Sequence, residues 1–229
     1  MAKKLSVIGV IGQKGGGGKT TIAINVAVAA ARHKLAPVII DLDQQTNSAK
    51  WRDRRKPDNV AVVATPAGRI KATIEMAASH EADFIVIDAP GHNDSAAIET
   101  LRAAHLVILP VEAQMFHFDT LPAMRDIIRL GGDTPTWIVV NKLHPTVSVM
   151  AKKLKQIIFD TYKIPVCPVH MCRYDIYATS ADDGLTPEEK KPTHKAALEI
   201  RELYRFINQQ LNNARSPHVR QDEKSAAGA

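Results

Sequence analysis

The sequence predicts a doubly wound α/β fold, with a mostly parallel sheet flanked by helices. Three observations lead there. Seven short apolar runs rich in Val and Ile alternate with seven longer helical stretches. Runs of that kind suit strands buried on both faces, and parallel neighbours need the long crossovers that helices supply. The glycine-rich and acidic motifs fall just after the apolar runs, at the C-terminal strand ends where doubly wound folds bind ligands.

The strands are read at residues 5–11, 38–42, 60–64, 84–88, 106–110, 137–141 and 164–169. The helices are read at 20–32, 46–56, 69–80, 94–103, 119–130, 149–162 and 193–213. With 229 residues and 45% hydrophobic content, one domain over residues 1–213 is expected. The polar stretch 214–229 is expected to be a disordered tail. No run of about 18 apolar residues occurs, so no membrane span is expected. Met1-Ala2-Lys3-Lys4 leads directly into the first strand, which argues against a signal peptide. Cys167 and Cys172 suit buried thiols in a reducing compartment, because no further Cys or paired His lies at metal-ligand spacing. The formal net charge of +6 favours polyanionic partners without naming one.

The first strand is followed by Gln13-Lys14-Gly15-Gly16-Gly17-Gly18-Lys19-Thr20-Thr21. Four glycines let the backbone curl so that its N–H groups converge on one spot. Lys19 adds a mobile cation, and the helix that opens here adds its dipole. That combination cradles polyphosphate, and the Thr20 hydroxyl can ligate Mg²⁺. Gly15, Gly16, Gly17, Gly18, Lys19, Thr20 and Thr21 are therefore the candidate nucleotide-binding residues. The second strand ends Asp41-Leu42-Asp43-Gln44-Gln45, two carboxylates at i and i+2 that project to one side. The fourth ends Phe84-Ile85-Val86-Ile87-Asp88, where the carboxylate at the strand tip can hold Mg²⁺ through water.

The loop lacks the glycine that a standard P-loop carries at position 13 and has a second lysine, Lys14, instead. In this it resembles the deviant Walker A motif of the ParA/MinD family of ATPases. The order of loop, Asp-x-Asp pair and Walker B aspartate resembles the family over about residues 4–210. The chain is most similar to small ParA proteins without an N-terminal helix-turn-helix domain.

That resemblance implies a P-loop ATPase fold with ATP and Mg²⁺ as cofactors and a weak, partner-stimulated ATPase activity. By the same resemblance Asp43 orients the attacking water and Asp41 supports the water shell of the metal. Gln44 stands where the family's signature has proline. Ala89-Pro90-Gly91-His92 resembles the segment that senses the γ-phosphate, with His92 read as a surface residue. Lys14 corresponds to the lysine that crosses an ATP-dependent homodimer interface to the partner's nucleotide, a cation supplied in trans. Asn141 falls where the family places base contacts, with strand-end capping as the alternative. Arg173 either stacks on adenine or forms a salt bridge. Asn141-Lys142-Leu143-His144 lacks the aspartate that would pair with guanine.

ParA-type relatives bind non-specific DNA as ATP dimers, mainly through basic residues late in the chain. This points to Lys152, Lys153, Arg201 and Arg205, with a solvated helix face as the plain alternative. The implied partners are a second copy of the chain, DNA, and a centromere-binding or cargo adaptor protein, with a cytoplasmic, nucleoid-associated location. The polar tail lacks the apolar face of a MinD-type membrane helix. A MinD-like membrane-cycling ATPase and a metabolic ligase of the same fold are the competing readings.

Overall fold

In the computed structural model the described residues are 4–112, 120–146 and 151–215. Six strands form one sheet: β1 (Ser6–Val10), β2 (Pro37–Asp41), β3 (Ala61–Ala64), β4 (Phe84–Asp88), β5 (Leu106–Glu112) and β6 (Thr136–Asn141). Their spatial order is β3-β2-β4-β1-β5-β6, and every pairing is parallel. The helices are α1 (Lys19–Arg32), α2 (Asn47–Arg54), α3 (Ile70–Ser79), α4 (Asp94–Ala103), α5 (Leu121–Leu130), α6 (Ala151–Tyr162), α7 (Ile176–Ala181), α8 (Pro187–Lys190) and α9 (Lys195–Arg215). A 3₁₀ turn, Ala67–Arg69, leads into α3.

Successive strand residues face opposite sides of the sheet, so each side has its own core. Ile8, Val10, Ile39, Val86 and Ile108 pack with α1, Trp51 of α2 and the apolar stripe of α9. Val107, Leu109 and Val140 pack with α4, α5 and α6 on the other side, where Ile40, Ile85 and Ile87 meet α3. Fully burying one such aliphatic side chain is worth roughly 1.5–3 kcal/mol, so the strands are fixed from both faces. The register aligns Val10 with Asp88 and Asp88 with Asp41. The glycine loop and both strand-end carboxylates therefore leave the sheet at one level.

Residues 164–169, expected as a seventh strand, form none. Val166 makes an isolated parallel bridge to Ile138, and Cys172 makes one to Leu143. Pro165 and Pro168 lack the N–H that a continuous ladder needs. The segment still lies along β6, with Cys167 N donating to the Ile138 carbonyl at 2.8 Å and Met171 N to the Val140 carbonyl at 2.9 Å. Helices α7 and α8 had no counterpart in the sequence reading. Ala214 and Arg215, assigned to the tail, belong to α9; residues 216–229 lie outside the described residues, as do positions 119, 149 and 150 of two expected helices.

Candidate functional site

The loop between β1 and α1 takes the shape its glycines permit. Gly16 and Gly18 have φ of 79° and 93°, in the left-handed region that side chains disfavour. Gly18 is also the N-cap of α1, with no side-chain cap and no acidic residue in the first turn. The helix N-terminus is thus open toward the cleft, with its N–H groups and dipole available to an anion. Lys19 is buried, and its Nζ donates to the Lys14 carbonyl at 3.0 Å. Burial lowers its pKa, opposed by the charges of Asp88 and Asp43.

The β4–α4 connection closes on the loop. A Cβ at Gly91 would lie 3.0 Å from the Gly15 nitrogen, so only glycine permits this approach without a shift. His92 N donates to the Gln13 carbonyl at 2.8 Å, which holds His92 at φ 54°. His92 is exposed, but it lines the phosphate-side cleft of about 360 Å³ together with Gly15, Lys19, Thr20 and Asp43.

The carboxylates divide their tasks. Asp88 is 1% exposed; its Oδ2 accepts from Ser48 Oγ at 2.9 Å, while its Oδ1 has no hydrogen-bond partner. Burial pushes its pKa up to about 7, and the Asp41 charge pushes the same way against the nearby hydroxyls of Thr20 and Ser48 and the Lys19 charge. An orphaned buried carboxylate oxygen beside a threonine hydroxyl is a donor set that fits Mg²⁺, which takes few protein ligands and completes its shell with phosphate and water.

Asp41 has a structural task that the sequence did not show. Its Oδ1 accepts from Asp43 N at 3.0 Å, and its Oδ2 accepts from Ser48 N at 3.0 Å and Ala49 N at 3.4 Å. It therefore caps α2 in place of Thr46, which makes no side-chain cap. These bonds fix the Asp41 carboxylate beside Asp88, whose pKa its charge helps to raise. Asp43 sits at the mouth, where its Oδ1 accepts from Gln45 N at 2.9 Å in a tight turn.

A second cleft of about 450 Å³ continues from Gly18 and Thr21 past Asn141, Arg173, Tyr174 and Tyr177. Asn141 is buried and turns toward the loop: its Nδ2 donates to the Gly17 carbonyl at 2.9 Å, and its Oδ1 accepts from Lys142 N at 2.9 Å. Arg173 is exposed at the rim, its backbone N donating to the Leu143 carbonyl.

Of the basic residues, Lys152, Lys153 and Arg205 are exposed on α6 and α9. Arg201 is engaged within the fold: its Nε donates to Glu188 Oε1 at 2.8 Å and its Nη2 to the Pro192 carbonyl at 2.7 Å. Arg55 is fully buried against Glu189, with Nη1–Oε2 at 3.0 Å and Nη2–Oε1 at 2.6 Å, and it lies over the Trp51 ring. Trp51 Nε1 donates to the Leu185 carbonyl at 3.3 Å. Helix α2 is thus tied at one end to Asp41 and Asp88 and at the other to the segment beyond α7. Sequence reading missed Ser48, the Arg55–Glu189 pair and Lys142. The pair spans 134 positions and leaves no local trace; the Thr186–Glu189 capping box was the one legible sign.

A parallel sheet whose first strand feeds a glycine loop into an uncapped helix, with a buried orphan aspartate on the neighbouring strand, defines a P-loop nucleotide-binding protein. Residues 8–187 match the CobQ/CobB/MinD/ParA nucleotide binding domain, and the chain belongs to that family. Among curated proteins it is similar to the chromosome-partitioning ATPase Soj of Thermus thermophilus, at 29% identity over 143 residues, 49% of this chain. The match spans 57% of that relative's length. Among solved structures it resembles MinD of Aquifex aeolicus, with a TM-score of 0.72 at 16% identity over 89% of this chain and 97% of that one. MinD of Pyrococcus horikoshii in complex with Mg-ADP gives 0.72 at 15% identity, covering 92% and 98%. A substituted form of Cyanothece McdA in complex with ATP gives 0.68 at 14% identity, covering 92% and 97%. These likenesses establish the shared fold.

Proposed function

We propose that this chain is a ParA-type ATPase. It dimerises on ATP, binds duplex DNA without sequence preference, and hydrolyses ATP under the control of an adaptor protein, so as to segregate or position DNA or another cargo. The observation that carries this is the pair of lysines on one phosphate cradle. Lys19 is buried beneath the loop, at the place where one cation suffices for the phosphates of the bound nucleotide. Lys14 is half-exposed on the same loop, outside the lining of the phosphate-side cleft, and in this reading it serves a nucleotide held by a second copy. A cation delivered in trans stabilises the charge that develops on the transferred phosphoryl group.

In this reading ATP lays its phosphates on Gly15–Thr21 and directs its nucleoside toward Asn141 and Arg173. Thr20 and Asp88 would hold Mg²⁺, which neutralises phosphate charge when bound. Asp43, at the cleft mouth, is positioned to orient the attacking water. The similarity to Soj, a chromosome-partitioning ATPase, to McdA in complex with ATP and to MinD in complex with Mg-ADP supports this reading. For DNA, Lys152, Lys153 and Arg205 are the proposed phosphate contacts; the Arg201 guanidinium already serves Glu188. No helix among the described residues is long and apolar enough to cross a membrane.

The test compares wild type with Lys14→Ala, using no nucleotide, ADP and ATP. Light scattering reads mass, and filter binding reads affinity for a random duplex. ATP alone is expected to give a dimer and strong, salt-sensitive DNA binding, both lost in Lys14→Ala. ATP-dependent dimerisation that survives in Lys14→Ala would remove the basis of the proposal.

A further inference from the structure

The glycine loop is gripped from its outer side by two consecutive residues at the end of β6. Lys142, at φ 53°, donates from Nζ to the Gly16 carbonyl and to Glu112 Oε1, both at 2.5 Å. Asn141 takes the next carbonyl, that of Gly17. This close approach depends on Gly18 as well, because a Cβ there would lie 2.2 Å from Asn141 Nδ2. Glu112 is itself buried, at the end of β5. Three strand ends therefore meet: β1 supplies the loop, β6 the two donors, and β5 the carboxylate that steadies the lysine.

A loop that presents N–H groups to an anion must turn its carbonyls the other way. A run of four glycines has little preference of its own for that shape. Hydrogen bonds that hold the Gly16 and Gly17 carbonyls outward supply the missing preference.

We propose that Lys142 is a positioning residue for nucleotide binding, a cationic latch anchored by Glu112 that holds the Gly16 carbonyl outward and so keeps the N–H groups turned to the phosphates. Lys142 also lines the nucleoside-side cleft, which makes its order sensitive to an occupied site. The proposal rests on the reading that a nucleotide occupies this loop. The rival role for Lys142 is that of a third phosphate cation, released from the carbonyl when nucleotide arrives. The two roles differ in sign at Glu112. A latch needs its anchor, so losing the carboxylate weakens nucleotide binding. For a phosphate cation, Glu112 is a competitor, so losing it tightens ATP binding.

Affinities for fluorescent ADP and ATP analogues would be measured by titration for wild type, Lys142→Met, Lys142→Arg, Glu112→Gln and the Lys142→Met/Glu112→Gln double variant, with thermal melts reporting folding. Lys142→Met is expected to weaken ADP and ATP alike by about tenfold, the scale of one charged hydrogen bond, and to raise KM more than it lowers kcat. Lys142→Arg, which keeps a charged donor, is expected to recover most of the loss. Glu112→Gln is expected to weaken both nucleotides severalfold and to add little to Lys142→Met. Tighter ATP binding in Glu112→Gln, a loss confined to ATP in Lys142→Met, or no loss at all would each overturn the latch while leaving the nucleotide site standing. A wild type that binds neither nucleotide would overturn the site reading, and the latch with it.

Discussion

Along the phosphate side of the cleft, the glycine loop and the start of α1 supply most of the lining, Gly15, Gly16, Gly18, Lys19, Thr20 and Thr21, and three of these have only backbone to offer. Along the nucleoside side, Glu112, Asn141, Lys142, Arg173 and Tyr177 come from three parts of the chain and present side chains. Backbone recognition needs a particular loop shape, so it tolerates almost no added atom. Side-chain recognition is spread over many weak contributors and tolerates loss of one. The difference predicts a steep gradient of mutational effects across a single cleft.

The largest effect is expected at Lys19. Lys19→Ala removes a buried cation of the phosphate side, and nucleotide affinity should fall about 100-fold by calorimetry, the upper range for a charged hydrogen bond. Arg173→Ala, at the exposed rim of the other side, should cost less than about tenfold in the same titration. Equal losses at the two positions would dissolve the contrast.

Away from both clefts, Arg55 ties the end of α2 to Gly184 and Glu189. Arg55→Ala leaves Glu189 without its buried partner at the far end of α2. Breaking such a pair costs about 3–5 kcal/mol, read as a lowered midpoint in urea denaturation. Nucleotide binding to the fraction still folded should weaken less than in Lys19→Ala, because no atom of the phosphate cradle is touched.

Asp88 gives the pH signature. Its carboxyl is raised to about 7 in the folded chain from 3.8. The folded state therefore holds a proton that the unfolded state has lost, and stability declines as pH rises from about 4 through about 7. With a chelator present, Asp88→Asn should flatten that decline and raise the melting temperature at pH 8 by about 3 °C or more, while abolishing hydrolysis. A melting temperature that falls in Asp88→Asn at pH 8 would mean that the carboxylate is structural.

The smallest effects belong to the basic surface. Lys152→Gln and Lys153→Gln should each reduce the salt slope of DNA binding by about 1. Arg201→Gln should leave the slope unchanged and lower thermal stability, because its guanidinium is bound to Glu188 and Pro192.

The same contrast governs what could be read in advance. Five of the six strands lie inside or within a residue of their expected bounds, because each is a short, continuous, mainly apolar run, buried along its length in all but the edge strand β3; β5 runs two residues beyond its expected end. The phosphate loop and the Asp88 strand tip were legible because their chemistry requires fixed spacing within a few residues. Residues 164–169 misled because Val and Ile favour a strand while Pro165 and Pro168 forbid the ladder. Asp41 shows a second limit. Alternation along a strand predicts the side on which a carboxylate emerges, but not that the following turn would bring Ser48 and Ala49 N–H groups back onto it.

By itself, then, the sequence determined the fold class, the glycine loop and the aspartate that faces it, since these depend on local periodicity and short spacing. Tertiary structure alone decided that Asn141 and Lys142 brace the loop, that Asp41 caps α2, and that Arg201 and Arg55 serve Glu188 and Glu189. Each of those outcomes is a contact between segments distant in sequence or turned back on themselves. Such contacts are fixed by strand order and packing, which pair residues that no spacing rule relates.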